Sequence, residues 1–317
     1  MSTRTVAIIL NWNSGEMTAE CIQSLLAMDS SDYEIVVVDN GSNDGSVEHL
    51  RQRFPEVPVL LQERNLGFVG GCNVGMRYAL DKGAEFILLL NNDTVVGENF
   101  VRRLLEQARA HRKAGMVSPK IYFWDSPNRF WWAGGAYSLW SGLPKHIGRK
   151  EKDTWQFEVP RQIEWATGCA LLIRAEALKV TGLFDPQIFM YAEDLDLSLR
   201  MKRAGYEIWY APKARLWHKE GVDYRKNAGE HARMLKATRN LLWIMHKHAR
   251  AVQWVSFLPN FLVRYVLFYV LLSFSRRDFR SAKAVLEGVW AFLRMRAHPV
   301  AFPLPAGPAE HAKRISG

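Results

Sequence analysis

Apolar residues in the first half of the chain come in short unbroken runs, each closed by polar side chains. The run at residues 6–10 stops at Asn11-Trp12-Asn13, the run at 35–38, in a strand expected to begin at Glu34, at Asp39-Asn40-Gly41-Ser42, and the run at 86–90 at Asn91-Asn92-Asp93. Runs without alternation are expected of parallel strands buried on both faces. Between the first two, Cys21, Ile22, Leu25, Leu26 and Met28 recur at helical spacing. The pattern therefore predicts a strand–helix–strand unit with a right-handed crossover. Residues 59–61 add a short third strand. A glycine-rich stretch, Gly67, Gly70, Gly71 and Gly75, then leads into a helix at 76–80, and residues 99–110 form an amphipathic helix.

From residue 115 the pattern loosens into a less regular region containing Trp124, Trp131, Trp132, Trp140 and Trp155, with Gly134-Gly135 among them. A turn and strand follow at 165–174, and a short helix at 175–180. Leu195 and Leu199 mark a further helix that Gly205 stops. Strands are expected at 207–210 and 214–218, and a basic helix at 231–250. Residues 254–274 are apolar and aromatic over about the ~20 residues that cross a bilayer. Pro259, Asn260 and Arg264 interrupt them, and a charge at mid-membrane is costly. Helices lying in the membrane interface, or packed on the preceding domain, are preferred over a span. Arg276, Arg277 and Arg280 follow, then an amphipathic stretch at 282–295 and a frayed tail from Pro303.

Charge sharpens this division. Residues 1–199 hold 20 Lys/Arg and 25 Asp/Glu, a net −5, whereas residues 200–317 hold 22 and 7, a net +15. A basic, aromatic C-terminal third points to an anionic surface as partner. Without a zinc finger or RNP-type aromatic pair, a membrane leaflet is favoured and nucleic acid is not expected. The three cysteines, Cys21, Cys72 and Cys169, have no metal-site spacing and suit a reduced cytoplasmic setting. The apolar run at 6–10 is too short for a signal peptide.

Ligands of open α/β sheets sit beyond the carboxyl ends of the strands. Asp93 is delivered there, and its carboxylate suits a hard divalent cation that also holds phosphate oxygens. Asp39 stands at the same edge, able to bond a nucleotide base or ribose or simply to cap the Asn40-Gly41 turn. The glycines can let backbone N–H groups approach phosphate or let a helix pack close to the sheet. They do not spell the dinucleotide pattern, so a nicotinamide enzyme is not supported. Glu193 and Asp194 fall at a helix N-terminus, where the backbone dipole favours the ionised form and leaves a base available at neutral pH; capping is the plainer role. His218 ends an apolar strand as a structural residue or a second metal ligand. The tryptophans can stack on sugar rings or fill the core.

In this order and spacing, the segments resemble the family 2 inverting glycosyltransferases of the A-type fold, and within them the rhamnosyltransferase-like branch. The motifs that carry the resemblance are Ile8-Ile9-Leu10-Asn11-Trp12-Asn13, Val37-Val38-Asp39-Asn40-Gly41-Ser42, Asn65-Leu66-Gly67-Phe68, Asn73-Val74-Gly75, Leu89-Leu90-Asn91-Asn92-Asp93, Gly168-Cys169-Ala170 and Glu193-Asp194-Leu195-Asp196-Leu197. The resemblance implies an α/β, Rossmann-like, mostly parallel central sheet of A type, with a helical, membrane-associating C-terminal extension. It divides the chain into a catalytic domain at 1–225, with a nucleotide-sugar half at 1–115 and an acceptor half at 116–225, and a C-terminal region at 226–317. It assigns Asn11, Asn13, Asp39, Asn65, Gly67, Asn73, Asn91 and Asn92 to the nucleotide-sugar. Asp93 and His218 go to Mg2+ or Mn2+, and Asp194 acts as general base with Glu193 beside it. Trp132, Gly134, Trp165 and Gly168 fall on the acceptor side. The family's Asp-x-Asp metal motif reads Asn91-Asn92-Asp93 here, leaving Asp93 as the main carboxylate.

The implied reaction is inverting transfer of a sugar, best matched by L-rhamnose from a thymidine diphosphate donor, to a lipid-linked or polysaccharide acceptor in envelope synthesis. The implied place is the cytoplasmic face of the cell membrane, as a peripheral protein, with a homodimer left open. The alternative is a catalytically silent nucleotide-sugar-binding or scaffold protein at the membrane.

Overall fold

A computed structural model describes residues 5–28, 33–219, 222–276 and 279–297. Arg277 and the tail from Pro303 lie outside them. In the first half the chain runs β1 (Thr5–Asn11), α1 (Gly15–Leu26), β2 (Tyr33–Asp39), α2 (Ser46–Arg53), β3 (Val59–Leu61), α3 (Gly67–Asp81), β4 (Phe86–Asn91), β5 (Thr94–Val96) and α4 (Phe100–Ala110). It continues with β6 (Ala114–Phe123), β7 (Phe130–Trp132), β8 (Gly135–Ala136), β9 (Lys145–His146), β10 (Arg161–Gln162), β11 (Ala170–Arg174), α5 (Ala175–Thr181), α6 (Glu193–Arg203) and β12 (Glu207–His218). The helical end holds α7 (Val222–His248), α8 (Ala251–Phe261), a π-helical turn (Leu262–Leu267), α9 (Phe268–Arg276) and α10 (Arg280–Ala297).

The main sheet has the order β10-β12-β6-β11-β4-β1-β2-β3. Strands β1 to β4 run parallel, β11 is antiparallel to β4 and β6, and β12 is parallel to β6. The continuous apolar runs are buried on both faces, as their lack of alternation requires. Register then decides where chemistry can occur. Asn11 lies opposite Asp39, Leu10 opposite Asn91, and His218 opposite Thr94. The polar residues that close each run therefore line one edge of the sheet.

Three expectations change. The region from residue 115 is not irregular: β6 is a ten-residue buried strand. Its polar positions hide the pattern, and each has a distant partner. Ser118 accepts from Trp132 Nε1 at 3.0 Å, and the buried Lys120 pairs with Glu158 and Asp153. Pro119, which has no N–H to give, lies opposite Ala211 where β12 bulges. That bulge also joins the two expected strands at 207–218 into one. The third change is α3, which starts at Gly67 rather than near residue 76. A Cβ at Gly71 would come within 2.3 Å of Leu10, and one at Gly75 within 2.4 Å of Ile8. These glycines bring helix and sheet into contact and do not form a phosphate loop.

A boundary at residue 225 falls inside α7, which breaks helical geometry at Gly229. Beyond that break the helix packs against α6 and the turn before it, as well as against α10. Asp196 of α6 is fully buried and bonds Arg200 Nε, Lys247 Nζ and His248 Nε2, each at 2.8 Å. Burial works against its charge, but His248, Arg200 and Lys247 hold its pKa well below the ordinary carboxylate range.

Candidate functional site

Two clusters form along the sheet edge, and residues 168–169 join them. In the first, Asp93 Oδ2 and His218 Nε2 approach to 3.1 Å, both side chains buried. Burial opposes a charged imidazole here, but Cys169 and Asp93 outweigh it and raise the His218 pKa. In the second, Asp194 Oδ2 accepts from Gly168 N at 2.8 Å and Oδ1 from Leu195 N at 2.7 Å. The next residue, Cys169, donates nothing to Asp194 but feels both Asp93 and Asp194, which with burial raise its thiol pKa. Its carbonyl accepts from Asn91 N at 2.9 Å. Asp93 and Asp194 therefore flank one dipeptide, although 101 positions separate them in sequence.

The helix N-terminus does not leave both acids charged. Asp194 keeps some surface open to the cleft yet is enclosed deeply enough that burial pushes its pKa up to about 6, against the pull of the Gly168 and Leu195 N–H groups. Burial, with Asp194 next to it, also raises Glu193 well above the ordinary carboxylate range, and Glu193 Oε2 is buried without a hydrogen-bond partner. Glu193 is thus held protonated, and Asp194 is the carboxylate available as a base above pH 6. Both sit just after a left-handed pair, Tyr191 (φ 72°) and Ala192 (φ 69°). Non-glycine residues rarely adopt this conformation unless their surroundings hold them there.

At the other end of the edge, Asp39 Oδ1 accepts from Asn11 Nδ2 at 2.8 Å and Ser42 Oγ at 2.6 Å. Thr18 Oγ1 donates to Asn11 Oδ1 at 2.7 Å and accepts from Asn92 Nδ2 at 3.0 Å. A relay of side chains thus links Asp39 to the residue preceding Asp93. Asn13, in left-handed geometry, accepts from Asn43 N at 2.9 Å and staples the two strand-end turns together. Asp39 also lines an open cavity of about 420 Å³ with Ser42, Arg51 and Gln62. Asn65 Oδ1 accepts from Asn40 Nδ2 and Gly67 N at 3.0 and 2.7 Å, which shapes the entry to α3. Gly67 has φ +76°, and any Cβ there would press within 2.5 Å of the Phe189 ring.

Some expected contacts are corrected. Asn73 spends both amide atoms on the Phe184 backbone, 3.0 Å each way, so it ties α3 to the turn after α5 and does not face a nucleotide. Trp132 is fully buried and Trp165 nearly so, their rings edge to face at 4.7 Å, so they are core and not an acceptor platform. Gly134 is buried beside Ile163, packed as these two tryptophans are. Gly168 holds Asp194 through its N–H. The tryptophan at the site is Trp131, whose ring meets His218 edge to face at 4.6 Å. Along a strand, neighbouring side chains point to opposite faces, so one position separates core from site. Sequence reasoning meets Trp131 only as one of a tryptophan cluster and Cys169 only inside a motif, and it misses Thr18, whose burial on α1 shows only in the fold.

Asp93 and His218 fit a divalent cation: a carboxylate oxygen and an imidazole nitrogen converge on one point, 3.1 Å apart. Among the described residues no group of three His, Cys, Asp or Glu side chains is placed to hold a metal ion. The remaining ligands would come from the substrate, as is usual for cations that bind phosphates.

The family model described as glycosyl transferase family 2 matches residues 6–181. The chain is 26% identical over 245 residues to an N-acetylglucosaminyl-diphospho-decaprenol L-rhamnosyltransferase of Mycobacterium tuberculosis, covering 71% of this chain and 78% of that protein. It is 27% identical over 219 residues to a galactofuranosyltransferase of Mycolicibacterium smegmatis, covering 68% and 71%. Among solved structures, the Pyrobaculum calidifontis mannosyltransferase in complex with GDP-Man and Mn2+ aligns with a TM-score of 0.55 at 15% identity, over 99% of this chain and 80% of that one. GalNAc-T7 with UDP, GalNAc and Mn2+ aligns with a TM-score of 0.59 at 19% identity, over 76% and 47%. The fold is the A-type glycosyltransferase fold.

Proposed function

The chain belongs to glycosyl transferase family 2, and from that premise we propose that it is an inverting, metal-assisted transferase that moves L-rhamnose from a thymidine diphosphate donor onto a lipid-linked diphosphate sugar. The placing of Asp194 and the Asp93–His218 pair on either side of Gly168-Cys169 carries this reading. The names of its relatives, a rhamnosyltransferase for a diphospho-lipid and a galactofuranosyltransferase, support the donor and acceptor classes.

Each residue's task follows from its surroundings. Asp39, fixed by Asn11 and Ser42, presents a carboxylate at the nucleoside end. Asp93 and His218 would hold Mg2+ or Mn2+ against the donor diphosphate, where such a cation supplies Lewis-acid neutralisation of the departing charge. Asp194 accepts the proton of the incoming hydroxyl. Backbone N–H groups occupy one lone pair on each of its oxygens, and a carboxylate has about four such sites. Glu193 stays neutral and offers no second nucleophile, so a single displacement with inversion is expected. A thermal-shift screen of nucleotide-sugars with Mg2+ or Mn2+ tests the donor. At 100 times its Kd a true donor adds about 2.7 kcal/mol of stability, read as a clear rise in Tm for thymidine diphosphate rhamnose plus metal. A flat response to every nucleotide-sugar would sink the reading.

The site of action is proposed to be the cytoplasmic membrane surface. Residues Ala251–Ser275 form a 25-residue helical run long and apolar enough to cross a membrane, and little of it is buried. Val255, Leu258, Val263, Leu267 and Leu271 are exposed along it, with Arg264 exposed among them. Apolar side chains around this one cation, with Arg276 and Arg280 following, suit an anionic interface. The double substitution Leu267→Asp and Leu271→Asp is expected to abolish co-flotation with phosphatidylglycerol vesicles while leaving the circular dichroism spectrum intact. Undiminished flotation would remove this helix as the membrane contact.

A further inference from the structure

Helix α7 crosses the turn that carries the base, and it brings cations with it. Asn240 is fully buried on this helix, and its Nδ2 donates to Met190 O at 2.8 Å and Tyr191 O at 2.7 Å. Its Oδ1 accepts from Arg239 Nε at 2.8 Å. One amide thus ties a guanidinium to the left-handed turn just before Glu193 and Asp194. Three positions earlier, Lys236 Nζ lies 4.9 Å from the centroid of the Phe189 ring, the same ring that covers Gly67. Cations three residues apart on one helix face repel each other.

Arg239 is poorly compensated. Burial lowers its pKa, its Nη2 is buried without a hydrogen-bond partner, and among the described residues no carboxylate pairs with it. Arg200, by contrast, bonds Asp196 and the carbonyls of Thr181, Gly182 and Leu183. A buried N–H left unmet on a charged group is costly. A phosphate oxygen would answer it once this half-buried side chain turns outward, because the guanidinium fork matches phosphate and forms charge-assisted bonds with it. The Asp93–His218 pair stands across Gly168-Cys169 from Asp194, and on the transferase reading the donor diphosphate takes that side and the acceptor the other.

Resting on the transferase reading above, we propose that Arg239 binds a phosphate oxygen of the acceptor, so that the acceptor enters as a phosphate or diphosphate ester with its hydroxyl directed at Asp194. The test uses the full chain with its donor site saturated by thymidine diphosphate and Mg2+. Farnesyl diphosphate is titrated as a sugar-free probe, with farnesol as the uncharged control. Arg239→Gln is expected to weaken farnesyl diphosphate binding about 10- to 100-fold, the worth of a hydrogen bond to a charged group, and Arg239→Lys by less. Farnesol binding and thymidine diphosphate affinity should not move. Equal binding by wild type and Arg239→Gln overturns the proposal, as does a wild type that ignores the probe or a loss that falls on the nucleotide instead. Arg239-dependent probe binding in a protein that transfers no sugar would leave this site standing and fail the transferase reading alone.

Discussion

Replacing Asp194 by Asn is expected to lower sugar transfer by about 10²- to 10⁴-fold, the usual contribution of a positioned general base, with nucleotide-sugar affinity nearly unchanged. The substitution keeps the shape but removes the only carboxylate that Gly168 N–H and Leu195 N–H hold in the cleft. The asparagine must turn its NH2 toward one of those donors, so a stability loss of about 1–3 kcal/mol accompanies the kinetic one. Donor titration by calorimetry separates the two effects. Retained turnover would take Asp194 out of the chemistry. The wild-type rate should also fall as pH drops through about 6, where Asp194 takes up its proton. Stability has the opposite sign: the folded pKa is raised, so protonation favours the native state, and that stabilisation is lost as pH rises through about 6. Glu193→Gln should leave both the rate and this acid limb in place, because burial already keeps Glu193 protonated.

Loss of the cation site is the second large effect. Chelation with EDTA should stop transfer, and added Mn2+ or Mg2+ should restore it. Asp93→Ala would leave His218 as the only member of the proposed cation-binding pair. The metal concentration for half-maximal activity should then rise by more than about 100-fold, since even outer-shell changes at such sites cost 10- to 100-fold. Undiminished activity after exhaustive chelation, or an unchanged metal requirement in Asp93→Ala, would rule out Asp93 as a ligand.

What sequence reasoning reached, and what it missed, divides along locality. Parallel strands buried on both faces announce themselves as unbroken apolar runs, so β1, β2 and β4 and the polar residues that end them were legible. Strand β6 was not, because Ser118 and Lys120 look like surface positions until Trp132, Asp153 and Glu158 are brought to them. Asn65 and Asn73 look equivalent in sequence, yet a partner 111 positions away commits Asn73 to a structural pairing. The dipole at the start of α6 is visible locally, whereas the burial that overrides it for Glu193 is a property of the assembled cleft. Trp131 and Trp132 differ only in which face of β7 they occupy, and composition cannot tell faces apart.

The amide of Asn240 has a practical corollary for anyone trimming this protein to a soluble fragment. Cutting at residue 225 would keep Asp39, Asp93 and Asp194 and still discard the amide that bonds the Met190 and Tyr191 carbonyls beside the left-handed pair Tyr191-Ala192. Such a fragment should bind its sugar nucleotide and turn over poorly. The shortest piece worth making ends after His248, which closes the last buried contact with Asp196.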